Sequence, residues 1–350
     1  MFRCENSRVR VFSAVPDLQV SRGASRKLEE FSDEFRAALV LGDVEMWAEA
    51  LGLVRTTNAL KSTFPLPLDA AGYKELKGDI KFRSLYSRSM SMTTKEWSDG
   101  VSEKARVIAA PDFIDWAGAP ANMAREWLRL PNEIVADTLA ISSYDGPLLD
   151  FYRDEDSKTA STRRLFATDH PYNVLRPTLG VFNNTTTTTV AQILDGTLYE
   201  TLSEYFRSIK GPNGKPLGLR FTSGKILARG EREQTLKKSL EQERLVRAVQ
   251  NVAGTENVGG AAVDNLWKGS AISYLIADEL NSADYMYAFA DGRPGLYPWV
   301  VQTEGAPEEI IHDESSEMYK SSRKLGIAYV GAMNAAAALP HGIVRIQITG

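Results

Sequence analysis

The stretch that most constrains the fold is residues 111–142, "PDFIDWAGAPANMAREWLRLPNEIVADTLAIS", which has the clearest helical pattern in the chain. Its apolar residues recur at helical spacing: Met123, Trp127, Leu130, Ile134, Val135 and Leu139. Pro120 suits the first turn of a helix, whereas Pro131 removes one backbone donor in the middle and should kink it. We therefore expect one kinked helix, with Trp127 and Ile134 deeply buried beneath the C-terminal strands.

The remaining patterns mix helices and strands. Periodicity predicts helices over 28–50, 193–210 and 232–250. Apolar, β-branched runs bounded by turn residues predict strands over 215–228, 270–280, 297–303, 309–313, 324–338 and 343–348, and 255–260 is predicted to be a loop. Because strands concentrate after the long helix, the sequence predicts an α+β fold whose terminal strands return to the first domain as an antiparallel sheet.

Residues 60–95 have a different composition, rich in proline, glycine and lysine. Pro65 and Pro67 exclude a long helix at the start of this segment, and no sustained apolar face follows. We expect an extended loop that reaches away from the body and makes more contacts with a neighbouring subunit than with its own.

The formal net charge is −4, which argues against nucleic-acid binding through bulk charge. The first 28 residues depart from this balance, with six basic residues against two acidic ones. Such a basic stretch can contact nucleic acid, remain a solvated tail or pair with an acidic neighbour. No stretch reaches the roughly 18 apolar residues of a membrane span, and we expect neither a secretory signal nor a membrane partner.

The sequence has few residues suited to catalysis or metal binding. The three histidines, His170, His312 and His341, lie far apart, and Cys4 is the single cysteine, so no zinc-ligand spacing is present. A Gly-x-Ser-x-Gly elbow, a Walker loop and a dinucleotide fingerprint are also missing from the sequence. We expect no catalytic, cofactor-binding or metal-binding residue.

The adjacent Asp169 and His170, in "RRLFATDHPYN", raise the question of a catalytic dyad. Neighbouring residues on an extended chain point to opposite faces, so Asp169 is poorly placed to orient the His170 ring. Asp can instead bond the backbone two residues on, and Pro171 fixes the next φ angle. The favoured interpretation is a short strand and a turn.

Several stretches resemble one protein family when they are taken in order. They are "YKELKGDIKFRSLYSRSMSMTTKEWSDGVSEKARVI", "APANMAREWLRLPNEIVADTLA", "RRLFATDHPYNV", "GKPLGLRFTSGKILA", "ADYMYAFAD" and "GLYPWVVQTEGAPEEIIHDESSEMYKSSRKLGIAYVGAMNAAAAL". This order resembles the major head subunit T family of phage Mu and Mu-like prophages, which are tailed-phage major capsid proteins. The resemblance runs from about residue 48 to 340, and only the ordered set is specific.

The resemblance implies the tailed-phage major capsid fold of the Hong Kong phage type. Its expected parts are an N-terminal arm (1–47), an extended loop with flanking peripheral-domain strands (48–110), a peripheral-domain spine helix (111–142), an axial domain (143–290) and returning peripheral-domain strands with the C-terminus (291–350). The arm departs most from the family pattern, so its role is the least constrained.

The same resemblance implies a function. A chain of this family would assemble in the host cytoplasm, as hexamers and pentamers, into an icosahedral virion head around double-stranded DNA, which it would contact non-specifically. Scaffold, portal and decoration proteins would be its other partners. Loop lysines such as Lys61, Lys74 and Lys77 could join covalent cross-links as in some relatives, although the sequence indicates no partner residue.

Two alternatives remain at this level. A cargo compartment of the encapsulin type would share the fold and differ by a small closed shell with a groove for cargo peptides. An α+β hydrolase using His170 would need a nucleophile and an orienting acid that converge on that ring. The sequence contains no motif that supplies them.

Overall fold

A computed structural model of the 350-residue chain shows two compact units. The structure describes residues 15–67, 87–110, 116–140, 165–173, 177–250, 257–291 and 296–349. Unit 1 comprises Met1–Glu45, Glu96–Arg129 and Glu304–Ala332. Unit 2 comprises Met46–Lys95, Leu130–Thr303 and Met333–Gly350.

Helices and strands contribute in similar measure, so the predicted α+β class is confirmed. The helices are α1 (Val15–Leu41), α2 (Trp47–Leu51), α3 (Ala105–Ile108), α4 (Ala119–Leu139), α5 (Val190–Leu194), α6 (Thr197–Ser208), α7 (Glu233–Glu241) and α8 (Glu317–Ser322). The strands are β1 (Leu53–Thr56), β2 (Lys61–Pro67), β3 (Ser87–Thr93), β4 (Lys95–Lys104), β5 (His170–Pro171), β6 (Val181–Phe182), β7 (Thr185–Thr188), β8 (Arg220–Ala228), β9 (Arg244–Gln250), β10 (Asn257–Asp264), β11 (Ser273–Ile276), β12 (Tyr285–Asp291), β13 (Trp299–Thr303), β14 (Glu308–His312), β15 (Lys324–Ala337) and β16 (Ile343–Ile348).

Unit 1 is built by α1 packing on the first part of β15. Phe35 of α1 stacks on Tyr329 of β15 with ring centroids 3.5 Å apart. Glu309 of β14 accepts hydrogen bonds from the Ser32 hydroxyl and, at 3.3 Å, from the Arg36 guanidinium. Apolar stacking and a charge-assisted hydrogen bond therefore attach the long helix α1 to two neighbouring strands.

Helix α4 confirms the prediction of one element with an internal proline. Pro120 lies in its first turn, and the helix continues through Pro131. The predicted deep burial of Trp127 and Ile134 is wrong, because both are only half-buried. The distal edge of the Trp127 ring lies over Gly331, where an added Cβ would come within 2.4 Å of Cη2.

Apart from Trp127 and Ile134, helix α4 buries apolar residues of the predicted stripe. Met123 and Ala124 share a core with Ile327 of β15 in unit 1. Val135 and Leu139 share a second core with the last residues of β15 in unit 2. Ile134 precedes Val135 and lies at the edge of this stripe, which explains its partial exposure.

Unit 2 contains a five-stranded mixed sheet in the order β11-β8-β12-β16-β7. Strands β8, β12 and β16 are antiparallel neighbours, whereas β11 and β7 pair in parallel at the two ends. Helices α5, α6 and α7 and one face of this sheet share a core that includes Phe206, Phe221 and Ile346. The expectation that all terminal strands complete one sheet is wrong for β16, because its alternate apolar residues fill this separate core.

A second sheet runs along β13, whose residues are all buried. It pairs in parallel with β1 and antiparallel with the end of β15. The Trp299 ring is fully buried, donates from Nε1 to the Ala48 carbonyl at 2.8 Å, and meets Trp47 and Phe289 edge to face. The aromatic cluster fixes helix α2 against β13.

Three two-stranded ribbons complete unit 2: β2–β3, β5–β6 and β9–β10. The predicted helix over 232–250 is half wrong, because α7 ends at Glu241 and β9 follows. The predicted loop over 255–260 is also wrong, because β10 begins at Asn257 and pairs antiparallel with β9. Strand pairing has overridden a helical pattern in β9, since it satisfies every second backbone group.

Candidate functional site

The first candidate is the acid–histidine pair at residues 169 and 170. His170 begins β5, which pairs antiparallel with β6 through His170–Phe182 and Pro171–Val181. The His170 side chain is fully buried, whereas Asp169 is exposed. This difference in burial is the one that the sequence predicts for neighbouring side chains on opposite sides of an extended backbone.

Asn184 holds the His170 ring from the next segment of chain. His170 Nε2 lies 3.1 Å from Asn184 Oδ1 and 3.2 Å from the Leu165 carbonyl oxygen. Both neighbouring atoms are acceptors, so Nε2 carries the proton and donates. The Asn184 amide group also donates to Leu165 at 2.7 Å, and its Oδ1 accepts from the Ala167 backbone at 2.9 Å. The amide and the imidazole thus hold the segment around Leu165 in place.

Aromatic rings close the other sides of this cluster. Phe182 lies 5.1 Å from His170, 4.7 Å from His341 and 5.2 Å from Tyr172, measured between ring centroids. Both histidines are fully buried. The buried His170 ring is therefore surrounded by carbonyl, amide and aromatic groups of the described residues.

The remaining residues that the sequence singled out are His312, Cys4 and three lysines. His312 lies on β14 in unit 1, half-buried, and Cys4 lies outside the described residues. Across the part of the chain that is described, no three His, Cys, Asp or Glu side chains come together in a way that could hold a metal ion. Lys61 is exposed at the start of β2, and Lys74 and Lys77 lie outside the described residues.

The second candidate is a cavity of about 350 Å³ between α6 and the β6–β7 segment. Its apolar lining includes Phe182, Leu202, Ile209 and Val344, and tyrosine, serine, threonine and asparagine side chains supply its polar part. The Tyr205 hydroxyl is buried, and burial raises the pKa of this phenol well above its usual value. The sequence patterns did not lead us to predict this cavity, although the amphipathic helix α6 near a run of five threonines could have indicated a pocket with mixed apolar and hydroxyl lining.

The third candidate is a set of exposed apolar side chains. At the end of α1, Val40 and Leu41 are 88% and 80% exposed. Leu266, after β10, and Ile311, on the edge strand β14, are exposed as well. Side chains of this kind at element ends are candidates for contact with other chains.

The β2–β3 ribbon is the fourth candidate. Its strands pair in register from Lys61–Thr93 to Pro67–Ser87, and neither pairs with another described strand. Phe64 and Met92 anchor the base of the ribbon in the core of unit 2. The predicted extended loop over 60–95 is therefore an antiparallel ribbon where it is described.

Among the described helices, none is both long enough and apolar enough to cross a membrane.

Comparisons with known proteins give matches of structure only. No family model and no curated protein matches the chain. A capsid of an empty GTA particle aligns with a TM-score of 0.49 at 9% identity, over 88% of this chain and 91% of that one. A structure from Mycobacterium phage Patience aligns with a TM-score of 0.45 at 12% identity, over 93% of this chain and 87% of that one. A virus-like particle from Pyrococcus furiosus aligns with a TM-score of 0.42 at 9% identity, over 91% of this chain and 98% of that one. Structural similarity with TM-scores below 0.5 does not by itself establish what this chain does.

Proposed function

We propose that this chain is a major capsid protein that self-assembles into the icosahedral head shell of a tailed phage and encloses its double-stranded DNA. The observation that carries the proposal is the β2–β3 ribbon, which pairs only with itself among the described strands. The ordered motifs that resemble those of the Mu-like head subunits favour the same function.

The ribbon is informative because of its energetics. An isolated two-stranded hairpin is marginally stable in water, so a long one needs a surface to cover it. Among the ribbon side chains that the structure describes, Phe64 and Met92 are buried in the core of unit 2. In a shell, a neighbouring subunit would cover such a ribbon, since shell proteins distribute binding over many repeated contacts.

The proposal assigns the chain to five parts. Residues 1–47 would be the N-terminal arm, and 48–110 the extended loop with its flanking strands. Residues 111–142 would be the spine helix, 143–290 the axial domain, and 291–350 the returning strands and C-terminus. Helix α4, which shares its two cores with β15, supports the assignment of a spine.

The finer assignment follows from the same proposal. The proposal includes membership of the Mu-like T family and assembly in the host cytoplasm as hexamers and pentamers. It also includes scaffold, portal and decoration proteins as partners, and non-specific contact with DNA. No catalytic role is proposed, because the buried His170 is held by Asn184 and the Leu165 carbonyl. The encapsulin-type alternative has no observation in its favour.

The proposal is tested by purifying the full chain and measuring its assembly state by sedimentation velocity and negative-stain electron microscopy. Closed, hollow particles of uniform diameter are the expected result. A variant that lacks residues 66–78 should keep the circular dichroism spectrum of the parent and form no particles. Particles of normal size from this deletion, or a parent chain that stays monomeric at high concentration, would refute the proposal.

His170→Gln serves as the matched control for the deletion. The substitution lies in unit 2, like the ribbon, but it replaces a fully buried side chain. We expect it to assemble as the parent does. Loss of particles in both variants would show that assembly fails on general destabilisation and not on loss of the ribbon.

A further inference from the structure

The cavity between α6 and β6–β7 has the features of a docking groove. None of its lining residues carries a charge, and Val181 at its rim is 56% exposed. An uncharged groove with an apolar floor accepts apolar side chains and excludes charged ones, because a buried unpaired charge is costly. Its volume of about 350 Å³ is within the range of binding pockets.

The groove runs beside a free sheet edge. β7 is the last strand in the order β11-β8-β12-β16-β7. The Asn184 and Thr188 carbonyls accept from Arg345 and Thr349 on the β16 side, so the backbone groups of Thr187 face away from β16. No described strand pairs with β7 on that side, so one added strand could pair with the Thr187 backbone groups there.

An orphaned hydroxyl points to a polar backbone as part of the ligand. Tyr205 lines the groove, and its buried Oη has no hydrogen-bond partner in the part of the chain that the structure describes. A buried phenol without a partner is destabilising, and a peptide carbonyl would accept its proton. Groove, edge and hydroxyl together fit an extended peptide with an apolar residue at every second position.

The chain itself contains such a stretch. Residues 8–12 read "RVRVF", with Val9 and Val11 on one face of an extended chain and Arg8 and Arg10 on the other. They lie outside the described residues, and two residues separate them from the start of α1 at Val15. Five extended residues span about 17 Å, enough to run along the whole of β7.

We propose that the groove beside β7 receives residues 8–12 of a second copy of this chain, as an added strand. Val9 and Val11 enter the cavity, and a carbonyl of the stretch accepts from Tyr205. The proposal rests on the proposed function, which supplies the neighbouring copy. It requires the neighbour's α1 to begin within about 10 Å of the groove, the reach of the intervening residues.

Cysteine cross-linking tests the docking directly, because Cys4 is the chain's single cysteine. In a Cys4→Ser background, Arg10→Cys and Thr187→Cys lie on the same face when the two valines enter the groove. A short bismaleimide should link them between copies. Mixing isotope-labelled and unlabelled chains and reading the linked peptides by mass spectrometry separates links between copies from links within one chain.

Thr222→Cys in place of Thr187→Cys is the matched control. Thr222 is exposed on β8 of the same sheet, three strands and about 14 Å from β7. We expect at least a fivefold higher yield of between-copy links at position 187 than at 222. Equal yields, or links within one chain only, would overturn the proposal.

Two further variants keep the failure of docking distinct from the failure of shell assembly. Val9→Asp with Val11→Asp should reduce the cross-link at least fivefold, and Tyr205→Phe should reduce it measurably. Microscopy of the same samples reads particle formation independently. Particles without the cross-link would overturn the docking proposal and leave the proposed shell function unaffected. The cross-link without particles would overturn the proposed shell function and leave the docking proposal unaffected.

Discussion

Gly52→Ala is the substitution for which the structure gives the sharpest expectation. An added Cβ at Gly52 would lie 2.3 Å from Trp299 Nε1 and 2.8 Å from the Ala48 carbonyl oxygen. The φ angle of Gly52 is −101°, which any residue adopts, so the effect is steric and not conformational. The indole has no free volume to move into, because it is fully buried between Trp47 and Phe289.

The magnitude follows from two costs. Overpacking a filled core costs about 1–3 kcal/mol. Displacing the indole also breaks its 2.8 Å hydrogen bond to Ala48, which leaves a buried donor unsatisfied at about 1–3 kcal/mol. We therefore expect Gly52→Ala to lower the free energy of unfolding by about 2–6 kcal/mol.

The assay is urea unfolding of the unassembled chain, followed by tryptophan fluorescence. Gly23→Ala is the control, because its Cβ would meet Ala109 at an ordinary 3.7 Å within helix α1, and it should stabilise by about 0.5–1 kcal/mol. In a Trp299→Leu background the cost of Gly52→Ala should fall by half or more. A cost below about 0.5 kcal/mol in the parent would refute the reasoning.

Three other expectations follow from the described contacts. Asn184→Ala should cost about 2–4 kcal/mol in urea unfolding, because the amide serves His170, Leu165 and Ala167 together, and a cost below about 1 kcal/mol would contradict this. His170→Gln should cost only about 1 kcal/mol, because glutamine can still donate to Asn184, and a cost equal to that of Asn184→Ala would show that the ring matters more than its hydrogen bond. Burial and the Glu309 carboxylate raise the pKa of Tyr329 to about 12 from 10.0, so the folded state favours the neutral phenol, and this contribution is complete below pH 10 and lost as the pH rises towards 12. Tyr329→Phe should flatten the alkaline loss of stability of unit 1 in a pH series of unfolding curves, and an unchanged slope would contradict that assignment.

Much of the fold could be predicted from periodicity and turn residues. Helix α4 with its internal Pro131 and the strands β13, β14 and β15 lie where the sequence indicates them. Each has a pattern that its local packing obeys, such as the apolar residues Trp299–Val301 at the start of β13, a strand that is buried throughout.

The incorrect predictions share a cause: contacts with residues distant in sequence determine whether a stretch forms a strand, how deeply a side chain is buried and which sheet a strand joins. The stretch that forms β9 has a helical apolar pattern, and pairing with β10 makes it a strand. Trp127 has the spacing of a core residue, yet its ring crosses the surface of Gly331 and stays half-exposed. Strand β16 has an apolar pattern that fits a strand in either sheet, and no local signal says which sheet it joins.

The candidate site was predictable only in part. Opposite faces for Asp169 and His170 follow from backbone geometry alone, and the structure has them. The partner Asn184 could not be identified, because the contact depends on the pairing of β5 with β6. The groove beside β7 needs α6 and the sheet together, so no single stretch of sequence contains it.

The most direct test of the central claim is a cryo-electron microscopy reconstruction of the material that the purified full chain forms. The account predicts a closed icosahedral shell in which the β2–β3 ribbon of each subunit lies on a neighbouring copy. A uniform population of monomers, or a ribbon that folds back on its own subunit in every copy, would contradict it.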